Sequence, residues 1–187
     1  MLYMEDIYQT NSLSFKNKKD GLINFRTVSY VLGILVLVEA GLFAICAGIS
    51  AIYHESSYIC FVWAILINIG IGGVMILAGN RKSNIVSRRD GYCIVSISWI
   101  LFTLLGMLPF YLSGYIPSVT DAFFETMSGF TTTGATILND IESLPHGLLF
   151  WRSFTQWIGG LGIVLFTIAL LPVSYTHLRA HETCADL

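Results

Sequence analysis

The chain has 187 residues, of which 55% are hydrophobic and 12% charged, with a formal net charge of -2; its mean hydropathy is +0.70. A domain that must cover itself with polar surface in water is less apolar than this, so the composition points to a membrane protein. No Lys/Arg cluster interleaved with aromatic residues is present, which excludes a nucleic-acid-binding surface.

In chain order, residues 1–26, "MLYMEDIYQTNSLSFKNKKDGLINFR", are polar and mixed in charge. They lack the basic-then-apolar pattern of a cleavable leader and are predicted to lie in the cytoplasm. Residues 27–53 form an apolar run that is long enough, at about 1.5 Å per residue, to cross a hydrocarbon core of roughly 30 Å. A short polar break, "HESS" at His54–Ser57, leads into a second run of spanning length at residues 58–79. The pair is predicted to be a tight helical hairpin. The next break, residues 80–91, carries Arg81, Lys82, Arg88 and Arg89, and the N-terminal segment carries Lys16, Lys18, Lys19 and Arg26. Loops rich in Lys and Arg stay in the cytoplasm, which places both segments inside and the uncharged-to-acidic "HESS" turn outside. A third run, residues 92–112, then leads outward.

After that run the pattern changes. "SGYIPSVTDAFFETMSGF" opens on Gly and Pro breakers, offers Ser118 and Thr120 as helix caps and puts Asp121 in a first turn. The helix this predicts, from Val119 to Phe130, is roughly 18 Å long and too short to cross. It is predicted to enter the membrane and stop halfway. "GFTTTGATIL" follows, then the polar link "NDIESLPHG" and a fourth long run at residues 148–173.

Irregular backbone survives at membrane depth only where protein buries it or where it lines a watery cavity. "TTTGAT" fits the second case, because small residues let carbonyl oxygens turn toward a common axis and replace the hydration shell of a cation. Gly134 is predicted to take positive φ and so to place its neighbours' carbonyls. The carboxyl end of the short helix, with roughly half a negative charge, favours a cation at the same place. Asp121, Glu125, Asn139, Asp140 and Glu142 give the entrance an acidic or polar lining that focuses cations. A plain extracellular turn is the alternative reading of "TTTGAT".

These residues carry a resemblance. "DAFFETMSGFTTTGATIL", "SLPHGLLFWRSFTQWIGGLGIVLFTIALLP" and "RRDGYCIVSISWILFTLLGMLPFYLSG" resemble the first pore-forming repeat of the TrkH family in the Trk/Ktr/HKT potassium-transporter superfamily. The likeness runs from about Phe25 to Pro172, and the two N-terminal runs resemble that family's extra hairpin outside the pore.

The resemblance implies an all-α polytopic membrane protein of the bacterial cytoplasmic membrane, with four transmembrane helices and one re-entrant pore half-helix and filter loop. It divides the chain into residues 1–26, a cytoplasmic segment; 27–91, the hairpin with its cytoplasmic loop; 92–172, the first helix, pore-loop, helix repeat; and 173–187, a tail foreign to the family. Thr131, Thr132, Thr133, Gly134 and Ala135 then form one of four selectivity-filter segments, with potassium at Thr132, Thr133 and Gly134, and Gly134 favours potassium over sodium. Also implied are a homodimer and a cytoplasmic nucleotide-binding regulatory subunit, with no enzyme activity and no cofactor beyond the transported ion. The family continues for three further repeats, so the chain reads as an N-terminal fragment ending in an unrelated tail. A non-conducting fragment or scaffold subunit is the alternative function.

The remaining residues leave alternatives open. Glu39, near the middle of the first run, is a functional candidate, or a structural one if Asn68 or a hydroxyl satisfies it in protonated form. Arg152 can pair with Glu125 and brace the filter from behind, or snorkel to the interface. "IGGLG" at Ile158–Gly162 is either a packing patch or a flexible point in a pore-lining helix, while "GIGG" at Gly70–Gly73 is read as packing. Cys46, Cys60, Cys93 and Cys184 have no metal-ligand spacing, and His54, His146, His177 and His181 receive no role. An embedded enzyme or solute carrier would need paired intramembrane acids or a nucleophile, and the runs offer only Glu39 and Arg152, well apart.

Overall fold

A computed structural model describes residues 24–79 and 88–170, and among these every regular element is helical. The N-terminal segment, most of the basic loop and the tail lie outside the described residues.

Helix α1, Phe25–Ile52, starts on Asn24, whose side chain accepts from the Thr27 N–H at 3.3 Å. It begins two residues before the apolar run because this cap sits ahead of it. The turn at 53–57 leads into α2, Tyr58–Ala78. The two helices pack closely at Gly33 and Gly72, where a methyl on Gly72 would come within 3.1 Å of the Gly33 carbonyl oxygen. Of the "GIGG" glycines, Gly70 and Gly73 face open space, so Gly72 alone is the packing residue.

The third apolar run is not one helix. It forms α3, Arg88–Gly106, and α4, Leu108–Leu112, separated at Met107. Pro109, in the first turn of α4, has no N–H to offer the preceding turn, so the continuous ladder ends there. The short helix α5 covers Val119–Phe130, the bounds its breakers and cap predict, with Ser118 accepting from the Asp121 N–H at 3.3 Å. Helix α6, His146–Leu170, begins two residues earlier than the apolar run. Three helical stretches, Phe25–Ile52, Tyr58–Ala78 and Arg89–Leu112, are long and apolar enough to cross a membrane. The protein is thus a multi-pass membrane protein.

Two sets of contacts fix the ends of the bundle. At one end the Asn24 N–H donates to Asp90 Oδ1 at 3.0 Å and the Ser29 hydroxyl to the Met75 carbonyl at 3.0 Å, joining the starts of α1 and α3 to the end of α2. At the other, Ser57, Ser113, Tyr115, Glu142 and His146 line one cavity of about 480 Å³. The chain therefore departs toward α5 and comes back to α6 on the same end as the α1–α2 turn. The core between these ends is aromatic: Phe43, Phe61, Phe110, Phe130 and Trp151 are buried together, with the Phe43 and Trp151 rings edge to face at 4.6 Å. The Trp151 indole N–H donates to the Gly106 carbonyl at 2.8 Å, which satisfies an oxygen freed at the α3–α4 break.

Candidate functional site: the loop after the short helix

The site begins with how α5 stops. The Thr132 N–H bonds to the Gly129 carbonyl at 2.9 Å and the Thr133 N–H to the Ser128 carbonyl at 3.0 Å, while Thr132 stands at φ +57. This is a Schellman ending, whose left-handed position is ordinarily glycine. A β-branched threonine there is strained. The Thr131 hydroxyl donates to the Met127 carbonyl at 2.8 Å and lies 2.9 Å from the Thr133 hydroxyl, so the side chains are used to hold the turn. Gly134 takes φ +74, as its place in the loop predicts, and a methyl built on it would meet nothing within 4 Å. Its requirement is conformational rather than steric.

The carbonyls of Met127, Ser128 and Gly129 are thereby occupied, and those of Thr131 to Gly134 are not. Among the described residues no hydrogen bond is made to the backbone oxygens of Thr131, Thr132, Thr133 or Gly134, and all four residues are exposed. Ala135 differs, because its carbonyl accepts from the Ser128 hydroxyl at 2.6 Å. Sequence reasoning groups Ala135 with its four predecessors; the structure ties its oxygen back to the helix.

Glu125 organises the support behind the loop. Its carboxylate accepts from Arg152 Nε at 2.7 Å, from the Thr136 hydroxyl at 3.0 and 2.9 Å, and from the Ile137 N–H at 3.1 Å. The Glu125 side chain is 1% exposed and that of Arg152 15%. Arg152 therefore pairs with the short helix and does not snorkel. Sequence reasoning misses Thr136 and Ser128 as site residues, although Thr136 stands in the same small-residue stretch; hydroxyls on such a segment have to find partners, and that is the signal.

Helix α6 supplies the seat. A methyl on Gly159 would collide with the Phe130 carbonyl, and one on Gly160 would approach the Thr132 methyl at 3.9 Å. The first glycines of "IGGLG" therefore admit the end of α5 directly against α6. At the end that holds the α1–α2 turn Glu55 caps α6, accepting from the His146 N–H at 2.7 Å, the His146 ring Nδ1 at 2.7 Å and the Gly147 N–H at 3.3 Å. Tyr53 stacks on the His146 ring at 4.0 Å. Ring and carboxylate are 91 positions apart, which hides this pair from sequence reasoning.

Partial burial pushes the Glu55 carboxyl up, but the bonds from His146, Gly147 and Ser57 outweigh it and hold it below the usual carboxylate range. A depressed folded-state value means that the cap's stabilisation is present above the unfolded-state value, about 4.3 for a glutamate, and is lost as pH falls through the folded one. Glu55→Gln is therefore expected to lower thermal stability at neutral pH and to leave stability less sensitive to acid below about pH 4, as melting curves at the two pH values will show. A second expectation concerns strain. Thr132→Gly relaxes the left-handed position and should raise stability by about 1 kcal/mol, read from the shift in melting temperature; a loss would show the threonine to be unstrained.

A buried carboxylate–arginine pair, a helix that stops short and a loop of free carbonyls thus come together in a multi-pass membrane protein. Comparison with known proteins gives the family: residues 58–175 match TrkH, described as a cation transport protein, and the chain belongs to that family. It is 35% identical over 152 residues to the Trk system potassium uptake protein TrkH of Salmonella typhimurium, a match covering 81% of this chain and 32% of that one. It is 33% identical over 149 residues to the Trk system potassium uptake protein TrkG of Escherichia coli, covering 79% and 31%. The crystal structure of the potassium transporter TrkH from Vibrio parahaemolyticus superposes with a TM-score of 0.74 at 34% identity, over 80% of this chain and 32% of that one. The chain thus spans about a third of the length of the relatives it matches.

Proposed function

We propose that this chain contributes a potassium-selective segment to an uptake pathway across the bacterial cytoplasmic membrane, with the carbonyl oxygens of Thr131, Thr132, Thr133 and Gly134 facing the ion. The observation that carries this reading is the row of four free carbonyls that follows a helix ending with its negative pole toward them. In this reading α5 and the loop form a re-entrant segment between the third and fourth spanning helices, α6 being the fourth. The return of both flanks to the end that holds the α1–α2 turn supports it. Ala135 closes the segment through Ser128, and the Glu125–Arg152 pair braces it. The homodimer and the cytoplasmic nucleotide-binding regulator implied by the resemblance belong to the same proposal.

One loop supplies only a fraction of the oxygen shell that a dehydrated cation needs. Further loops around a common axis complete it, and the relatives' greater length accommodates them. The chain alone in liposomes is accordingly expected to give no potassium-selective flux, whereas the whole subunit carrying this segment takes up rubidium in competition with potassium and not with sodium. Equal competition by sodium would refute the selectivity. The orientation is checked separately: a cysteine at Ser83, in the basic loop, should resist an impermeant thiol reagent added outside whole cells, and labelling there would overturn the topology.

A further inference from the structure

Halfway along α1 and halfway along α2, Glu39 and Asn68 face each other inside the hairpin, 2% and 0% exposed. The Asn68 Nδ2 group donates to Glu39 Oε2 at 3.3 Å. That bond leaves two buried oxygens, Glu39 Oε1 and Asn68 Oδ1, with no hydrogen-bond partner among the described residues. Both are acceptors on neighbouring groups, so no rotation of side chains pairs them with each other while the glutamate is ionised. Unpaired polar atoms are unfavourable at membrane depth, and two at one place call for a common cause.

We propose that Glu39 and Asn68 form an intramembrane proton-binding site. One proton bound at Glu39 Oε1 converts the carboxylate into an acid whose hydroxyl donates to Asn68 Oδ1, while the Asn68 amide continues to donate to Oε2. A single O–H bond forms, the proton comes from water as hydronium and leaves a water molecule behind, and both orphaned oxygens are satisfied together. An acid–amide pair of this kind is reciprocal, each partner donating once and accepting once.

A metal cation fits less well. It would need a shell of several oxygens, and the described residues hold no group of three or more His, Cys, Asp or Glu side chains. Space is short as well, since a methyl on Gly106 would lie 3.1 Å from each of Glu39 Oε1, Phe130 Cε2 and Thr126 Cγ2. The ionisable groups on the packed elements have other engagements. Cys46 lies in the aromatic core, and Cys60 lines the outer cavity. Asp90 holds Asn24 at the far end of α3, Cys93 is one turn from that same end, and Glu125 and Arg152 are paired with each other.

The contact at Gly106 gives the site its consequence. Glu39 Oε1 and, from α5, Thr126 and Phe130 all border Gly106 at the α3–α4 break, where Trp151 of α6 also bonds to the Gly106 carbonyl. Loss of the proton sets an unpaired anion against this junction, which is the back of the filter-bearing helix. The proton site itself does not depend on the filter reading.

Infrared spectroscopy of the purified protein in lipid bilayers tests it. At neutral pH a carboxylic-acid C=O band is expected that disappears in Glu39→Gln, a variant that keeps an amide–amide pair and hence the fold. In Asn68→Leu the band should move to higher frequency, because the acid loses both hydrogen bonds. No acid band, a band unchanged in either variant, or a carboxylate band that responds to sodium would each overturn the proposal. Should Glu39→Gln fail to fold, isotope-labelled glutamate in the parent decides the matter, since a band that the label does not shift belongs to an aspartate and refutes it.

Discussion

Gly134→Val is expected to abolish potassium-dependent growth of an uptake-deficient strain when carried in the whole subunit. The reason is the backbone. Gly134 stands at φ +74, and a side chain starting there would meet nothing within 4 Å, so valine would not clash; it would be strained by about 1–3 kcal/mol in a left-handed conformation. Relief of that strain rotates the peptide units on either side, which would turn the oxygens of Thr133 and Gly134 away from the proposed ion position. Gly134→Asn separates this cause from mere bulk, because asparagine tolerates the left-handed region and should keep more activity than valine. Equal growth of parent and valine variant would remove Gly134 from the site.

The second large effect is expected behind the loop. Glu125→Ala removes the acceptor of three donors at once and leaves the largely buried Arg152 side chain, 15% exposed in the parent, without its partner. Breaking a buried pair by taking one partner costs about 3–5 kcal/mol. A comparable loss follows from Arg152→Ala, while the double variant Glu125→Gln, Arg152→Gln should lose clearly less than the sum, since no uncompensated charge remains. Thermal unfolding of the purified variants reads all three. A Glu125→Ala protein within about 0.5 kcal/mol of the parent would mean that the brace carries no stability.

Local chemistry is legible in the sequence and long-range pairing is not. The extent of α5 follows from Pro117, Ser118 and Asp121, because caps and breakers act within a few residues. The positive φ of Gly134 follows from glycine's freedom at a loop position. The strain at Thr132 does not, since nothing in three consecutive threonines says which of them occupies the left-handed end of a helix. Pro109 signals the break at Met107, but unbroken hydropathy on both sides makes the two helices read as one run, because the membrane's demand for apolar residues erases the contrast that marks a helix end in water. Glu125 and Arg152 can be paired as opposite charges in an apolar setting, yet the share that Thr136 and Ile137 take in that carboxylate depends on how the loop folds back. Glu55 capping α6 depends on the hairpin's position against α6, which sequence patterns along one helix do not contain.

The claim on which the rest depends is that a potassium ion sits on the oxygens of Thr132, Thr133 and Gly134. Anomalous diffraction from crystals of the whole subunit grown in rubidium or thallium salt tests it most directly, because either ion marks a potassium site by its own scattering. The account predicts an anomalous peak within coordination distance of those three carbonyls, lost in Gly134→Val. Peaks elsewhere in the membrane region with none at this loop would contradict it.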